Sequence, residues 1–506
     1  MTSEPQSIPE LLKQRVIATP DKLFLFSEAD KRQYTYKQFE AAVMRTARML
    51  IAKGVRKGDV VSLLMPNSVE YVIAYFACWQ IGALAGPINS LLKAQEIAYV
   101  ISNSEARALL VNSEFLPLIE TIRDEVPTLQ AIVIFDNEAD ATREEITGAD
   151  PTAESDGDQE AIIIYTSGTT GKPKGCLLTH GNVIANARQI SGWLGFYETD
   201  RLLTIMPLFH MNAVSVTTMS ALYAGASTVV SQKFSASRFW QIISEYQITS
   251  FGSVATMLSM LLSTYPDGVP EGLKTDQLRF AMCGSAPVPA EVLRRFEEKF
   301  HCLVIEGYGL SESTCRSTFN PPDERRRPGS CGLPIGNEMR VVDEEDREVP
   351  DGELGEIVLR GENILKGYYK NDTANETAFR NGWFHTNDIG YRDADGFYYI
   401  VDRKSDMIIR GGENIYPREI DEVLYQHPAI QAAAAVGVKD ELYGEEVAAV
   451  VVLKPGANTT TQEVIDYCKA RLADFKCPKT VHFVEDIPKG PTGKLLKREL
   501  AKMLSA

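Results

Sequence analysis

Tyr165-Thr166-Ser167-Gly168-Thr169-Thr170-Gly171-Lys172-Pro173-Lys174-Gly175 follows directly on the apolar run Ala161-Ile162-Ile163-Ile164. The run reads as a buried strand, and the eleven residues after it read as a loop built to hold phosphate. Hydroxyls and small residues let side-chain O–H and backbone N–H groups converge on anionic oxygens, two lysines add charge, and glycine permits the positive φ that such a nest requires. A plain surface turn would not concentrate hydroxyl, Gly and Lys immediately after a buried strand. A P-loop is the serious competitor, and it fails on spacing. Only Thr169 and Thr170 separate Gly168 from Gly171-Lys172, where a P-loop has four residues, and Pro173 stands where Ser or Thr would meet magnesium.

Working outward, short apolar runs alternate with helical patterns. Val60–Met65 precedes a helix predicted from Ser68 to about Ile81. Ala108–Val111 and Ala131–Phe135 flank another helical stretch, and Leu202–Met206, Ser227–Val230 and Leu303–Ile305 continue the series. This alternation predicts α/β layers with largely parallel sheets. From Ile335 the pattern turns to hairpins with Asp351-Gly352, Asn381-Gly382 and Asp395-Gly396 at the turns, a β-rich subdomain. A final α+β piece begins near Asp402. The expected division is an N-terminal nucleotide-binding domain over 1–401, a hinge over 402–406 and a small mobile domain over 407–506. Residues 136–160, charged and rich in Asp and Glu, read as a solvated connector.

The chain has 506 residues, more than one core usually supports, and a formal net charge of −16, which argues against nucleic-acid binding. Tyr71–Gly86 is its longest apolar stretch, too short for a bilayer and interrupted by Gln80, so it reads as a buried helix. No secretory signal or transmembrane segment is legible. Eight cysteines without CxxC or zinc spacing point to reduced thiols and a cytoplasmic location.

The phosphate loop resembles that of the adenylate-forming superfamily: acyl-CoA synthetases, peptide-synthetase adenylation domains and firefly-type luciferases. Four further stretches carry the resemblance, in order. They are Gly307-Tyr308-Gly309-Leu310-Ser311-Glu312, then Trp383-Phe384-His385-Thr386-Asn387-Asp388, then Asp402-Arg403-Lys404-Ser405-Asp406 running into Gly411-Gly412-Glu413-Asn414-Ile415, and finally Pro491-Thr492-Gly493-Lys494. Order and spacing match from about residue 8 to about 502. Among members the chain looks most similar to acyl-CoA ligases of the carnitine/crotonobetaine and fatty-acid type, notably over Thr204–His210, Lys233–Trp240 and Asp388–Asp393.

The resemblance implies an ATP-dependent carboxylate–CoA ligase that forms an acyl-adenylate and pyrophosphate, then an acyl-CoA thioester, with ATP, Mg2+ and coenzyme A as cofactors. It assigns Thr166, Ser167, Gly168, Thr169, Thr170 and Lys174 to the phosphates. Gly284-Ser285-Ala286 would form the adenine slot, with Tyr308 and Gly309 against the base; on its own Tyr308 reads equally well as a core aromatic. Ser311 replaces the commoner Thr and keeps the hydroxyl. Glu312, with Thr166, would hold Mg2+, a hard cation that prefers oxygen. Asp388 would accept the ribose hydroxyls, with Arg403 at the ribose or phosphate. Lys494 would place a positive charge between two anionic reactants; neighbouring Lys489, Lys497 and Arg498 read as solvated charges. His210 would gate the acyl entrance rather than act as a base, since a carboxylate needs no deprotonation at neutral pH. Gly411 and Gly412 would line a pantetheine tunnel after rotation of the small domain. Asn387 stands where Gly is usual, tolerable because Asn accepts positive φ. Ser405 replaces the usual Asp or Lys at the hinge.

Segments near His210–Ser215, Ser250–Met257, Cys283–Ala286 and Gly307–Arg316 would line the acyl site, and their mixture of small, apolar and polar residues suits a short or medium acid with a polar group. Three alternatives differ in acceptor or class: an adenylation enzyme loading a carrier protein, a luciferase-like oxygenase, and a non-catalytic nucleotide sensor. A homodimer is compatible with the sequence.

Overall fold

The alternating apolar runs become two large, mostly parallel sheets in a computed structural model that describes residues 4–139, 156–166, 173–284, 290–404, 406–489 and 495–504. The first sheet runs in the order Leu303–Glu306, Phe280–Cys283, Ser250–Ser253, Arg201–Thr204, Ser227–Val230, Leu23–Ser27, Gln33–Thr35. Only its last pair is antiparallel. The second runs Gly367–Tyr368, Lys174–Thr179, Glu160–Thr166, Leu84–Pro87, Val60–Leu64, Ala108–Val111, Ala131–Ile134. Its two pairs at the Lys174–Thr179 strand are antiparallel and the others parallel.

Helix Val69–Gln80 is buried from Val69 to Trp79, as a helix apolar on every face must be. Ser68 caps it by accepting from the Tyr71 N–H at 3.2 Å. Its aromatic polar ends bond backbone on both sides: Tyr75 Oη donates to Leu208 O at 2.8 Å and Trp79 Nε1 to Ala161 O at 2.9 Å. The helix ends at Gln80, as the Ser68–Ile81 pattern predicts, but the apolar stretch Tyr71–Gly86 is not helical throughout: Leu84–Pro87 is a strand of the second sheet. Part of the predicted connector is also not solvated: Glu138 is buried and paired with Arg45 at 2.5 Å, whereas 140–155 lie outside the described residues.

A third, antiparallel sheet contains Glu338–Val342, Gly355–Arg360, Trp383–Arg392, Phe379–Arg380 and Tyr398–Arg403. Asn381 and Gly382 make its tightest turn, both at positive φ (52° and 77°). A fourth sheet holds Glu413–Ile415, Ile408–Arg410, Gly444–Leu453, Ile430–Asp440 and Thr480–Phe483. Helices Pro417–Tyr425, Thr461–Lys469 and Lys497–Leu504 belong with it, and its cores draw only on residues from Ile408 onward.

Candidate active site

The strands Ser250–Ser253, Phe280–Cys283 and Leu303–Glu306 end side by side, and the chain leaving the last two carries Gly284 and Gly307-Tyr308-Gly309. In open α/β sheets this carboxyl edge is where ligands bind. A cleft lies there, lined by Gly284, Tyr308, Gly309, Asp388 and Arg403 on one side and by Arg418, Asp421, Leu495 and Lys497 on the other. Gly309 is obligatory: a Cβ would fall 1.9 Å from Cys315 O.

Register in the third sheet sets Asp388 directly opposite Arg403. Arg403 Nε lies 3.2 Å from Asp388 Oδ1, and Tyr308 Oη donates to Asp388 Oδ2 at 2.6 Å. Asp388 is buried, so its charge acts at short range. Burial, then the Asp388 carboxylate, holds the Tyr308 phenol well above its usual range, and it stays protonated as a donor. Burial, the largest single influence, works to lower Arg403, but Asp388 together with Tyr308, Asp406 and Glu312 outweighs it and the pKa is raised. Asn387 takes φ +59°, the conformation expected for it.

The hairpin of strands Glu160–Thr166 and Lys174–Thr179 meets Glu312, three residues beyond the cleft-lining Gly309. Thr166 pairs with Lys174, with residues 167–172 between them outside the described set. Thr166 Oγ1 is 3.5 Å from Glu312 Oε1, and Tyr368 Oη donates to the same oxygen at 3.0 Å. Lys174 Nζ sits 5.1 Å above the Tyr368 ring. Two protein oxygens so close fit a Mg2+ ion completed by phosphates and water. Among the described residues no group of three or more His, Cys, Asp or Glu could hold a metal by itself.

The AMP-binding enzyme family matches residues 12–369, and the AMP-binding enzyme C-terminal domain matches 419–494. The chain belongs to the AMP-binding enzyme family. It is 36% identical to a sulfoacetate–CoA ligase of Cupriavidus necator, covering 98% of this chain and 97% of that one. It is 35% identical to a long-chain-fatty-acid–CoA ligase of Mycobacterium tuberculosis, covering 99% of each. Among solved structures, an anthranilate CoA ligase in complex with anthranoyl-AMP superposes with a TM-score of 0.91 at 30% identity, over 100% of this chain and 99% of the other. The chain is an ATP-dependent carboxylate–CoA ligase that uses ATP, Mg2+ and coenzyme A.

In this AMP-binding enzyme the structure brings Thr166, Lys174, Gly284, Tyr308, Gly309, Glu312, Asp388 and Arg403 to one region. Ser311 opens the short helix carrying Glu312. Ser167, Gly168, Thr169, Thr170, Ser285, Ala286, Ser405 and Lys494 lie outside the described residues, although Leu495 lines the cleft. His210 is largely enclosed, its Nε2 unpartnered, and burial lowers its pKa to about 4, leaving it neutral at pH 7. It leads into a π-helix over Asn212–Met219, a form concentrated at functional sites. Gly411 and Gly412 form an exposed two-residue hairpin turn at φ +59° and +90°, away from the cleft lining. The turn alone accounts for both glycines here.

Three contributors escaped the sequence reading. Lys497, taken there as a solvated charge, is half-buried and bound to Asp421 at 2.6 Å; burial lowers its pKa, but Asp421 and Asp402 outweigh that and raise it. The Arg418 N–H donates to Asp402 at 3.1 Å, tying helix Pro417–Tyr425 to the third sheet. Tyr368 reaches Glu312 because Gly367–Tyr368 pairs with Cys176–Leu177, a pairing that no local pattern announces.

Proposed function

We propose that the cleft binds ATP with its ribose on Asp388, its adenine against Tyr308 and Gly284, and its phosphates between the Thr166–Lys174 loop and Glu312. The observation that carries this reading is the Tyr308–Asp388–Arg403 array at the cleft, with the Thr166–Glu312 pair close enough for the Glu312 carboxylate to act on Arg403. Asp388 presents carboxylate acceptors to two hydroxyls. Arg403 lies against one of its oxygens, and the Tyr308 O–H orients the other. Thr166 and Glu312 would hold Mg2+, which when bound supplies charge neutralisation across the phosphates.

In the first half-reaction a carboxylate oxygen bonds to the α-phosphorus while the bond to pyrophosphate breaks. Lys494, next to the cleft-lining Leu495, would bring its ammonium between these anions. Neutral His210 would shield the acyl entrance. In the second half-reaction the thiolate of CoA bonds to the acyl carbon and AMP leaves. Residues 1–401 would form the adenylation domain, 402–406 the hinge, and 407–506 the domain that rotates to bring Gly411 and Gly412 to the pantetheine.

The acid is short or medium and polar-substituted. Relatives named for sulfoacetate, a long-chain fatty acid and anthranilate do not choose among acids, so the enclosure has to. Asn212 and Ser253, both buried beside these strand ends, give it polar character. CoA rather than a carrier-protein thiol is the acceptor. A cytoplasmic site suits eight free cysteines, seven of them buried. Among the described residues no helix is long and apolar enough to cross a membrane.

Purified enzyme incubated with ATP, Mg2+ and a panel of acids, with and without CoA, tests the reading. AMP and pyrophosphate are expected from the acid alone, and thioester only with CoA. ADP as the main nucleotide product would overturn it.

A further inference from the structure

Arg316 is 1% exposed, and Arg cannot shed its proton in a protein. Its Nε and Nη2 are buried without a hydrogen-bond partner, and it forms no ion pair among the described residues. Among the described residues its guanidinium lies over the Phe319 ring, 5.3 Å from Cζ. A buried cation in that condition is strongly unfavourable, and an apolar side chain of the same size would pack there without the penalty.

The guanidinium is nevertheless held in place. The backbone of Arg316 is clamped by Asn186, whose Nδ2 donates to Arg316 O at 2.7 Å, and by Asn363, whose Nδ2 donates to it at 3.2 Å. The head lies behind Gly284, which lines the cleft while Arg316 itself does not: a Cβ on that glycine would lie 2.6 Å from Nη2 and 2.7 Å from Nη1. Nearby, both amide atoms of buried Asn212 and the Nε2 of His210 also lack partners. Asn212 Oδ1 lies 3.1 Å from the Cβ position of Gly252, on the strand beside that of Cys283. Asn186, which clamps Arg316, accepts from Ser215 Oγ in the π-helix that Asn212 begins, at 2.9 Å. The donors among these atoms, Arg316 Nε and Nη2 and Asn212 Nδ2, are complementary to a ligand that brings acceptors with it.

We propose that Arg316 binds a second anionic group on the acid, so that the substrate is a short acid bearing another carboxylate or a sulfonate beyond its reacting carboxylate. The free Nε and Nη2 edge of the guanidinium is the fork that accepts two such oxygens side by side. This rests on the ligase reading above and narrows its substrate class. The alternative, that Arg316 holds the reacting carboxylate or the α-phosphate, makes the opposite forecast about which acids need it.

The test compares malonate, succinate and glutarate, each against its monomethyl ester, by pyrophosphate release in wild type, Arg316→Met and Arg316→Lys. In wild type at least one diacid should exceed its monoester in kcat/KM by on the order of 100-fold. Arg316→Met should abolish that preference, costing the diacids on the order of 100-fold more in kcat/KM than the monoesters, and Arg316→Lys should restore part of it. Equal losses for diacids and monoesters, or a wild type that prefers monoesters throughout, would overturn the proposal. Should Arg316→Met not fold, the wild-type ranking and Arg316→Lys decide the question alone. Absence of pyrophosphate release with any acid would instead count against the ligase reading itself.

Discussion

Replacing Asp388 by Asn changes charge with almost no change in shape, which makes it the sharpest probe of the nucleotide site. The carboxylate accepts from Tyr308 at 2.6 Å and faces Arg403 at 3.2 Å from a buried position. Hydrogen bonds to an ionised acceptor contribute about 1.5–3 kcal/mol and neutral ones roughly 1 kcal/mol, so each bond to Asp388 should weaken by about 1 kcal/mol in the Asn variant. The Tyr308 bond is made with or without ATP and cancels, so the two ribose hydroxyls give about 2 kcal/mol, on the order of thirtyfold in kcat/KM for ATP. Arg403 adds little, since its side chain is 41% exposed and the solvent screens it. Pyrophosphate release as a function of ATP concentration measures the loss, and the same titration with 2′-deoxy-ATP and 3′-deoxy-ATP locates it. Wild type should discriminate against the deoxynucleotides and Asp388→Asn should largely cease to do so, because one interaction cannot be lost twice. An Asp388→Asn enzyme with unchanged KM for ATP, or one that discriminates as wild type does, would refute the assignment of Asp388 to the ribose.

Lys494→Ala should slow acyl-adenylate formation by about a hundredfold while largely sparing attack of CoA on adenylate supplied ready-made, as single-turnover assays of each half-reaction would show. Equal losses in both would mean that the residue acts structurally. Gly412→Leu should do the reverse, slowing only thioester formation; nothing lies within 4 Å of a Cβ there, so any loss of adenylation would point to the strained φ of +90° instead. Glu306 is buried beside the cleft, and burial raises its pKa from 4.5 to about 8 against the pull of the Gly329 N–H. The folded chain therefore keeps a proton that the unfolded chain has released, and stability falls as pH rises from about 4.5 to about 8. Glu306→Gln should flatten the fall of Tm across that window; a slope parallel to wild type would show that the group is not its source.

The reading of Tyr165–Gly175 as a strand entering a phosphate loop needed only local chemistry: three isoleucines bury, and a run of hydroxyl, Gly and Lys does not. Periodicity likewise located half of the fourteen strands in the two large sheets, because a strand buried on both faces is written as a continuous apolar run. Asn387 was legible for the same reason, since positive φ is a property of one residue and its own backbone. Pairings across the chain were not. Thr166 meets Glu312, Tyr368 meets Glu312 and Lys497 meets Asp421 across 146, 56 and 76 residues, through sheet register and domain contact. Whether a lysine is solvated or paired, and whether an arginine is paired or left for a ligand, depends on which elements pack around it. Local composition and spacing pointed to phosphate binding, because that is a local arrangement, and the resemblance of five motifs in order pointed to the class. Tertiary packing alone decided that Arg316 is buried without a partner, because burial belongs to the whole fold.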